Sequence, residues 1–427
     1  MSVNLLTYRE HDNVLLEKGT VPLTQDFYEV NFTKIHRGRD ASMPCFTVKK
    51  AAESENTYNL KTGYFIGVDW LDSNRTALYV APKLNNENKE VDFVKMLFSS
   101  LRHTDVAKEI DELFEVKWDQ PSIEIEQKQD LLTPFLVVEF LSLLKIIVRK
   151  GLKKSYYKVE KNLHSKVKGK ILVGKSIKHN LLQNKNLHTY CTYDEFGLNN
   201  KENRLLKKAL FFVKRYLPNY TQLTDNVEIQ NTFNYINPAF HNVSGEIELN
   251  DIKQSKKNAF YKEYEPAIRL AKLILKRFGY NISNTVKDKI QTPPFWIDMS
   301  KLFELYALGL LKDRFHNQVK FQYKYYGNEL DYLLKSDNYK MVIDAKYKLK
   351  YINGKHDEDI RQVSGYARLR NVYKALEIEQ GNIIDCLIIH PDQDNGLEDL
   401  NDVDLKEKEI SQYFDVYKVG LKLPHIN

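Results

Sequence analysis

Cysteine is scarce in this 427-residue chain: Cys45, Cys191 and Cys386 are the only three, and they lie far apart. This rules out a disulfide framework and a zinc site built on paired cysteines, and it fits a reducing, cytoplasmic setting. The N-terminus, Met-Ser-Val-Asn-Leu-Leu-Thr-Tyr-Arg-Glu, has no basic start followed by a long apolar core, so no signal peptide is expected. Long hydrophobic runs are missing too. The most apolar stretch, Leu131 to Val148, is interrupted by Thr133, Pro134, Glu139, Ser142 and Lys145; it reads as a buried helix, and no membrane partner is expected. No internal repeat or low-complexity tract occurs.

What is present suits packed domains. Hydrophobic residues make up 42% and aromatics 12% of the chain, ample for cores, and the length predicts two or three domains. The net charge of +7 is unevenly spread. Lys145 to Lys178 holds twelve Lys and Arg against one acid, Glu160, with Tyr156 and Tyr157 among them. Basic residues interleaved with aromatics suit a phosphate backbone, so Lys153, Lys154, Lys166, Lys168 and Lys170 are candidate DNA contacts. A solvated Lys-rich surface, or a patch for an acidic protein, is the plainer alternative.

Local patterns divide the chain in three. Residues 1–90 are strand-like, for example Gly63 to Leu71 and Thr76 to Ala81, and the polar run Asn85 to Glu90 closes this β-rich region. Residues 91–292 form a helical and basic middle. Helical periodicity covers Val91 to Phe114, Leu131 to Arg149 and Glu202 to Leu217, and Glu265 to Phe278 before a terminating Gly279. Asn281 to Thr292 is the expected hinge. Residues 293–427 then run helix, three strands, helix, strand, strand, giving an α/β (α+β) chain overall.

The most informative pattern is Glu329-Leu330-Asp331 followed by Asp344-Ala345-Lys346. Val319 to Tyr326, Glu329 to Lys335 and Tyr339 to Lys348 read as strands joined by turns at Gly327-Asn328 and Ser336-Asp337-Asn338. Period-two alternation puts Leu330, Tyr332 and Leu334 on one face and Asp331 on the other, with Asp344 and Lys346 projecting together. A hairpin centred between Asp337 and Asn338 sets Asp331 directly opposite Asp344, their Cβ atoms about 5 Å apart. Two opposed carboxylates need a positive charge between them, and one or two Mg²⁺ ions held by Asp331 and Asp344, with the Ala345 carbonyl as a further ligand, would supply it. Such a site activates water and polarises a phosphoryl oxygen, with Lys346 reaching the water or the developing charge.

Other members are candidates. Ser300 is expected to cap a helix from Lys301 to about Phe315, and Glu304 sits among its apolar residues, where it either completes the metal shell or lies on a wet stripe near Lys301 and Lys312. Gln362 and Tyr366 share a face of a helix expected from Asp357 to about Leu376; Gln362 could orient water or touch a phosphate and Tyr366 could line a groove, or both could be ordinary interface residues. His390 is expected in a loop, with no role as a general base. Gly169-x-x-x-x-Gly174-Lys175-Ser176 has phosphate-loop spacing, but Lys170 to Val173 reads as a mostly apolar short strand, and Ser155 to Lys168, where a buried strand is needed, is polar and Lys-laden, so it is not expected to bind nucleotide.

Helix-borne Glu304, Glu329-Leu330-Asp331, Asp344-Ala345-Lys346 and Asp359-Ile360-Arg361-Gln362-Val363-Ser364-Gly365-Tyr366-Ala367 together resemble the PD-(D/E)XK nuclease core and, within it, the McrC family, the nuclease subunits of McrBC modification-dependent restriction systems. Tyr64-Phe65-Ile66-Gly67-Val68, Val80-Ala81-Pro82-Lys83, Lys168-Gly169-Lys170-Ile171, Tyr193-Asp194-Glu195-Phe196 and Glu202-Asn203-Arg204-Leu205-Leu206 are similar to the same family. Asn328-Glu329-Leu330 replaces the family's Pro before the first Asp, and Lys stands near Gly169 where Arg is more usual. The resemblance implies an N-terminal region that binds and stimulates an McrB-like AAA+ GTPase hexamer, with GTP entering only through that partner. It also implies a C-terminal nuclease domain with a mixed central sheet flanked by helices. That domain would cut double-stranded DNA whose methylcytosine is recognised mainly by the partner. Double-strand cutting implies a dimer through the nuclease domain. A non-catalytic DNA-binding adaptor that activates an NTPase, or a nuclease that acts alone, are the competing expectations.

Overall fold

The computed structural model describes residues 4–17, 32–36, 43–51, 57–72, 75–83, 91–101, 103, 113–126, 129–217, 227–248, 259–281, 289–325, 327–348 and 357–425. The chain forms two compact units, one made of Met1–Glu139 with Ser283–Asn427, the other of Phe140–Ile282. The three consecutive pieces read from the sequence therefore describe chain order. In the fold, the first and last pieces are joined. The polar run Asn85 to Glu90 and residues 282–288 of the expected hinge lie outside the described residues.

The first unit opens with β1 (Asn4–Arg9), β2 (Asn13–Glu17), β3 (Phe32–Ile35), β4 (Pro44–Lys50), β5 (Thr57–Thr62), β6 (Phe65–Asp72), β7 (Thr76–Ala81), α1 (Phe93–Ser100), β8 (Phe114–Val116) and β9 (Ile123–Glu126). α2 (Leu132–Lys150) carries the chain into the second unit, which holds β10 (Ser155–His164), β11 (Lys170–Ile171), α3 (Val173–His179), β12 (His188–Gly197), α4 (Lys201–Tyr216), α5 (Val227–Ile236) and α6 (Tyr264–Asn281). The return brings β13 (Lys289–Thr292), β14 (Phe295–Asp298), α7 (Met299–Phe315), β15 (Val319–Tyr325), β16 (Asn328–Lys335), β17 (Lys340–Ala345), α8 (Asp357–Ala367), α9 (Arg370–Leu376), β18 (Asp385–Pro391) and β19 (Val416–Leu421).

Several expectations shift. Phe114, expected at the end of a helix, begins a strand, and α6 runs through Gly279 to Asn281. The third strand of the C-terminal hairpin stops at Ala345, short of Lys348. Asp298, not Ser300, caps α7: its Oδ1 accepts from the Lys301 N–H at 3.0 Å. The single helix expected after Asp357 is two, because the N–H groups of Arg368 and Leu369 bond three residues back and Leu369 turns extended. His390 lies buried in β18, not in a loop.

Two sheets make the N-terminal half of the first unit. β14 is inserted between β6 and β8 in the sheet ordered β1-β7-β6-β14-β8, and a second sheet runs β2-β5-β4-β3. Leu16, Phe46, Val48, Tyr58 and Leu60 of the second pack on Phe65, Leu78, Val80 and Trp296 of the first. Asp69 is buried beneath them, 2.8 Å from both Lys34 Nζ and Lys117 Nζ, and accepts a hydrogen bond from Trp296 Nε1 at 2.9 Å. Burial alone would raise this carboxyl, but the two ammonium groups hold it below its ordinary value.

The C-terminal sheet, β15-β16-β17-β18-β19, is antiparallel at its start and parallel from β17 onward. α7 covers one face. It is apolar nearly all round and buried on every side, and its Gly309 lets α1 approach: a Cβ there would lie 3.1 Å from the Ser100 Cα. α8 and α9 cover the other face through Ile360, Val363, Val372 and Leu376, packed on Leu333, Val342 and Ile388. In the second unit, β10 and β12 form a long antiparallel pair. Close by, the Tyr264 hydroxyl donates to Asn203 at 2.7 Å and accepts from the Lys153 N–H at 2.8 Å.

Candidate active site

The hairpin of β16 and β17 pairs Tyr332 with Ile343, Leu333 with Val342, Leu334 with Met341 and Lys335 with Lys340, the register of a turn centred between Asp337 and Asn338. The ladder ends one step before Asp331 and Asp344. There Asp331 Oδ2 accepts from the Ala345 N–H at 2.8 Å, so a side chain takes over where backbone pairing stops. On the other side, β15 pairs with β16 on both sides of Gln322 but not at it; Gln322 has φ 48°, a left-handed backbone opposite Asp331. The break also alters the expected alternation. Leu330 joins Leu333 and Val342 under α8 and α9, whereas Tyr332 faces α7 and donates its hydroxyl to the Glu304 carbonyl at 2.7 Å.

Around this kink the charged groups converge. Asp344 Oδ2 lies 2.8 Å from Lys346 Nζ, as an ion pair in which no donor is aligned for a hydrogen bond to that oxygen. Lys346 Nζ also donates to Gln362 Oε1 at 2.8 Å, and Gln362 Nε2 donates to the Tyr366 hydroxyl at 2.7 Å. A continuous polar line therefore leads from a buried acid to the exposed face of α8. Burial first, then Glu304 and Asp344, push the Asp331 carboxyl well above its ordinary value; the Ala345 N–H and Lys346 only partly offset them. Asp344 is also raised by burial, against the pull of Lys346. Lys346 loses charge stability through burial, but Asp344, Asp331 and Asp359 more than restore it and hold it above the usual range. One ammonium thus faces several carboxylates.

Glu304 acts on Asp331 electrostatically and stands 4.0 Å from Lys301, which is itself buried and lies over the Phe321 ring. The wet stripe near Lys301 and Lys312 does not exist, since both lysines are buried. Among the described residues no three His, Cys, Asp or Glu side chains converge as a metal-ligand set. The donors that meet are the two Asp carboxyls, with Glu304 behind them.

Some members had no clear signal in the sequence. Asp359 pairs with Lys348 at 2.7 Å; the Asp344, Lys346, Lys348 alternation could have suggested it. Tyr347 donates its hydroxyl to buried Glu10 at 3.2 Å, and its ring lies 6.3 Å from that of Tyr64. Glu10 and Tyr64 come from turns at the ends of N-terminal strands, which no local pattern links to the site.

The basic run lies in the second unit. Lys154, Lys166, Lys168 and Lys170 are exposed, with Lys168 over the Tyr193 ring at 4.0 Å and 3.6 Å from Glu195. Lys153 differs. It is half-buried, 2.6 Å from Glu202, and its carbonyl accepts from Asn200 and Asn203. In the loop-like motif, Lys175 bonds Glu160, and the Ser176 Oγ accepts from the Tyr190 N–H at 3.0 Å.

These features define a class: a mixed α/β protein whose C-terminal sheet carries an acid–acid–lysine cluster, one acid buried and the other two groups half-buried, between flanking helices. The chain belongs to the family of McrBC 5-methylcytosine restriction system components, whose sequence model matches residues 60–376. A search of curated proteins finds no match. Among solved structures, the chain is similar to one in the refined half-complex from the tetradecameric assembly of Thermococcus gammatolerans McrB AAA+ hexamers with bound McrC, at 15% identity over 99% of this chain and 95% of that one, with a TM-score of 0.41. It is also similar to a chain of the Thermococcus gammatolerans McrBC complex, at 16% identity over 72% and 87% of the two chains, with a TM-score of 0.30.

Proposed function

We propose that this chain is the nuclease subunit of a modification-dependent restriction system, hydrolysing phosphodiester bonds in double-stranded DNA of the 5-methylcytosine type. The observation that carries the reading is the convergence of Asp331, Asp344 and Lys346 at the end of a hairpin, linked to Gln362. The two carboxyls fit one or two Mg²⁺ ions. Burial raises both, Asp331 with the added repulsion of Glu304 and Asp344, and Asp344 against the pull of Lys346, so a cation between them would relieve an existing cost. Magnesium is commonly held by one or two carboxylates with waters completing its shell, so a larger cage of acids is not required. Asp331 and Asp344 would hold the ion, with the Ala345 carbonyl and Glu304 as further candidates. When bound, it would lower the pKa of water and stabilise charge on the phosphoryl oxygen.

The chain's own groups have separable roles. Lys346 presents an ammonium to the reacting phosphate and holds Asp344 in place. Gln362 fixes that ammonium from the α8 side and, with Tyr366, faces the incoming strand. The exposed lysines at 154, 166, 168 and 170 would meet phosphates elsewhere on the DNA, as would Lys153 if its pairing with Glu202 opened. An McrB-like AAA+ GTPase hexamer would be the partner, bringing GTP and the recognition of methylated DNA. Cutting both strands needs two sites, hence a dimer through the C-terminal domain, read by light scattering of the cleaving complex.

The test is Asp344→Ala, assayed for cleavage of methylated duplex with the cognate GTPase and magnesium. Loss of cleavage with retained stimulation of GTP hydrolysis is expected. Wild-type cleavage by the variant would overturn the assignment, and an adaptor role would show as GTPase stimulation with no metal-dependent nicking by either protein.

A further inference from the structure

A cavity of about 530 Å³ opens in the N-terminal half of the first unit, lined by His11, Thr47, Lys49, Lys61, Thr62 and Tyr64. Its volume falls within the range of ligand sites, about 300–1,000 Å³. The β2-β5-β4-β3 sheet builds it by simple alternation. Phe46, Val48, Tyr58 and Leu60 turn into the core, which leaves Thr47, Lys49 and Lys61 on the opposite face, Thr47 directly across from Lys61. Both lysines are exposed, and among the described residues neither pairs with a carboxylate. Gly63 keeps the wall thin: a Cβ there would sit 2.1 Å from the Pro44 carbonyl oxygen, so no side chain can occupy that side.

His11 marks this cavity as more than a surface dent. It is a non-glycine residue at φ 58°, its ring centroid is 3.8 Å from that of Tyr64, and its buried Nε2 has no hydrogen-bond partner. Strained backbone and an unsatisfied buried nitrogen are both costly, and such features collect where a ligand is bound. Burial first, then Lys83 and Lys61, push its pKa down to about 4, so it is an uncharged hydrogen-bonding group beside two cations. Tyr64 connects the cavity to the acid–acid–lysine site. Its ring approaches that of Tyr347, the residue after Lys346, and burial first, then Asp359 and Glu10, raises its hydroxyl above the ordinary range.

We propose that this cavity is a subsite for the strand being cut, in which Lys49 and Lys61 hold a phosphate beyond the scissile one and Tyr64 packs against the adjoining nucleotide. The subsite rests on the nuclease reading and adds residues of the N-terminal sheets to the DNA path. Two lysines match an anionic, repeating backbone, the Thr47 hydroxyl adds an uncharged donor, and a neutral imidazole can bond a phosphate oxygen or a base edge without adding charge.

The experiment is fluorescence anisotropy with the full-length protein in magnesium-free buffer, using a fluorescein-labelled DNA duplex over a series of salt concentrations. Lys49→Glu/Lys61→Glu is expected to bind at least about tenfold more weakly, with a log–log salt slope shallower by about two, one for each lost phosphate contact. Lys408→Glu, at another exposed lysine, is expected to bind as wild type. A 5-iodouracil strand is expected to crosslink to Tyr64 in the wild type. Unchanged affinity and slope in the double variant, or preserved affinity with a preference for an acidic peptide, would overturn the subsite. If the double variant melts early, Lys49→Gln/Lys61→Gln repeats the measurement with less charge change. Cleavage by Asp344→Ala would instead defeat the nuclease reading, so the two failures are separable.

Discussion

Asp331 Oδ2 accepts a hydrogen bond from the backbone N–H of Ala345, the residue that follows Asp344. This contact places the first acid against the end of β17, which carries the second acid and is followed directly by the lysine, and it seals the hairpin where ordinary pairing has stopped.

Asp331→Asn keeps an acceptor for Ala345 but removes a charge whose ionisation the fold opposes. A carboxyl raised in the folded state contributes stability that is complete below the ordinary carboxylate range and lost as pH climbs through its raised value. Without magnesium, the variant is therefore expected to melt above wild type at neutral pH and to match it more closely in acid. Added magnesium should raise the melting temperature of wild type and leave the variant unmoved, while cleavage falls by about a hundredfold or more. Calorimetry at several pH values checks each part.

Lys346→Ala removes the cation that faces Asp344, Asp331 and Asp359. Cleavage is expected to drop about 10²–10³-fold. Gln362→Ala leaves the Lys346–Asp344 pair standing and is expected to cost about tenfold, since it removes one charge-assisted hydrogen bond. Single-turnover rates on pre-bound DNA separate these effects from binding.

Glu10 gives a pH test away from the acids of the site. Burial, only partly offset by the Lys83 N–H and the Tyr347 hydroxyl, pushes its pKa up to about 8 from 4.5. Its stabilising contribution is complete below pH 4.5 and fades as pH rises through about 8. Glu10→Gln is expected to flatten that decline and to be about 2–4 kcal/mol more stable than wild type near pH 9. Urea melts at pH 5, 7 and 9 would show the curves diverging; parallel curves would contradict the buried acid.

Asp69 behaves in the opposite sense. Lys34 and Lys117 hold it low, so the stability it provides is present above the ordinary carboxylate range and lost as pH falls through its depressed value. Asp69→Ala strands two half-buried ammonium groups and the Trp296 indole N–H, and is expected to cost about 3–5 kcal/mol. Chemical denaturation monitored by tryptophan fluorescence measures it.

Much of the C-terminal site was legible because its parts are close in sequence. Turn residues at 336–338 set the register of β16 and β17, and with it the meeting of Asp331 and Asp344. The twist at Gln322 was not legible, since a positive φ at glutamine leaves no mark in composition; it moved Leu330 to the other face. The cap of α7 went to Asp298 because β14 ends there and delivers that side chain to the helix start. Glu10 and Tyr347 are 337 positions apart, and only the closing of the first unit around its core brings them together. Lys153 looked like any other member of the basic run. Its burial against Glu202 depends on α4, a separate element.

The place of β14 between β6 and β8 bears on the order in which the chain can become native as it is synthesised. Strands β6 and β8 leave the ribosome long before Phe295–Asp298, yet their shared neighbour is that segment, and Asp69 lacks its Trp296 partner until it arrives. Residues 140–282 are made in the interval and can close their own contacts first. The N-terminal sheets must then wait with an unfilled slot. A nascent chain halted before residue 295 should be protease-sensitive in its first 139 residues and protected in its middle, and release of the last segment should reverse that sensitivity.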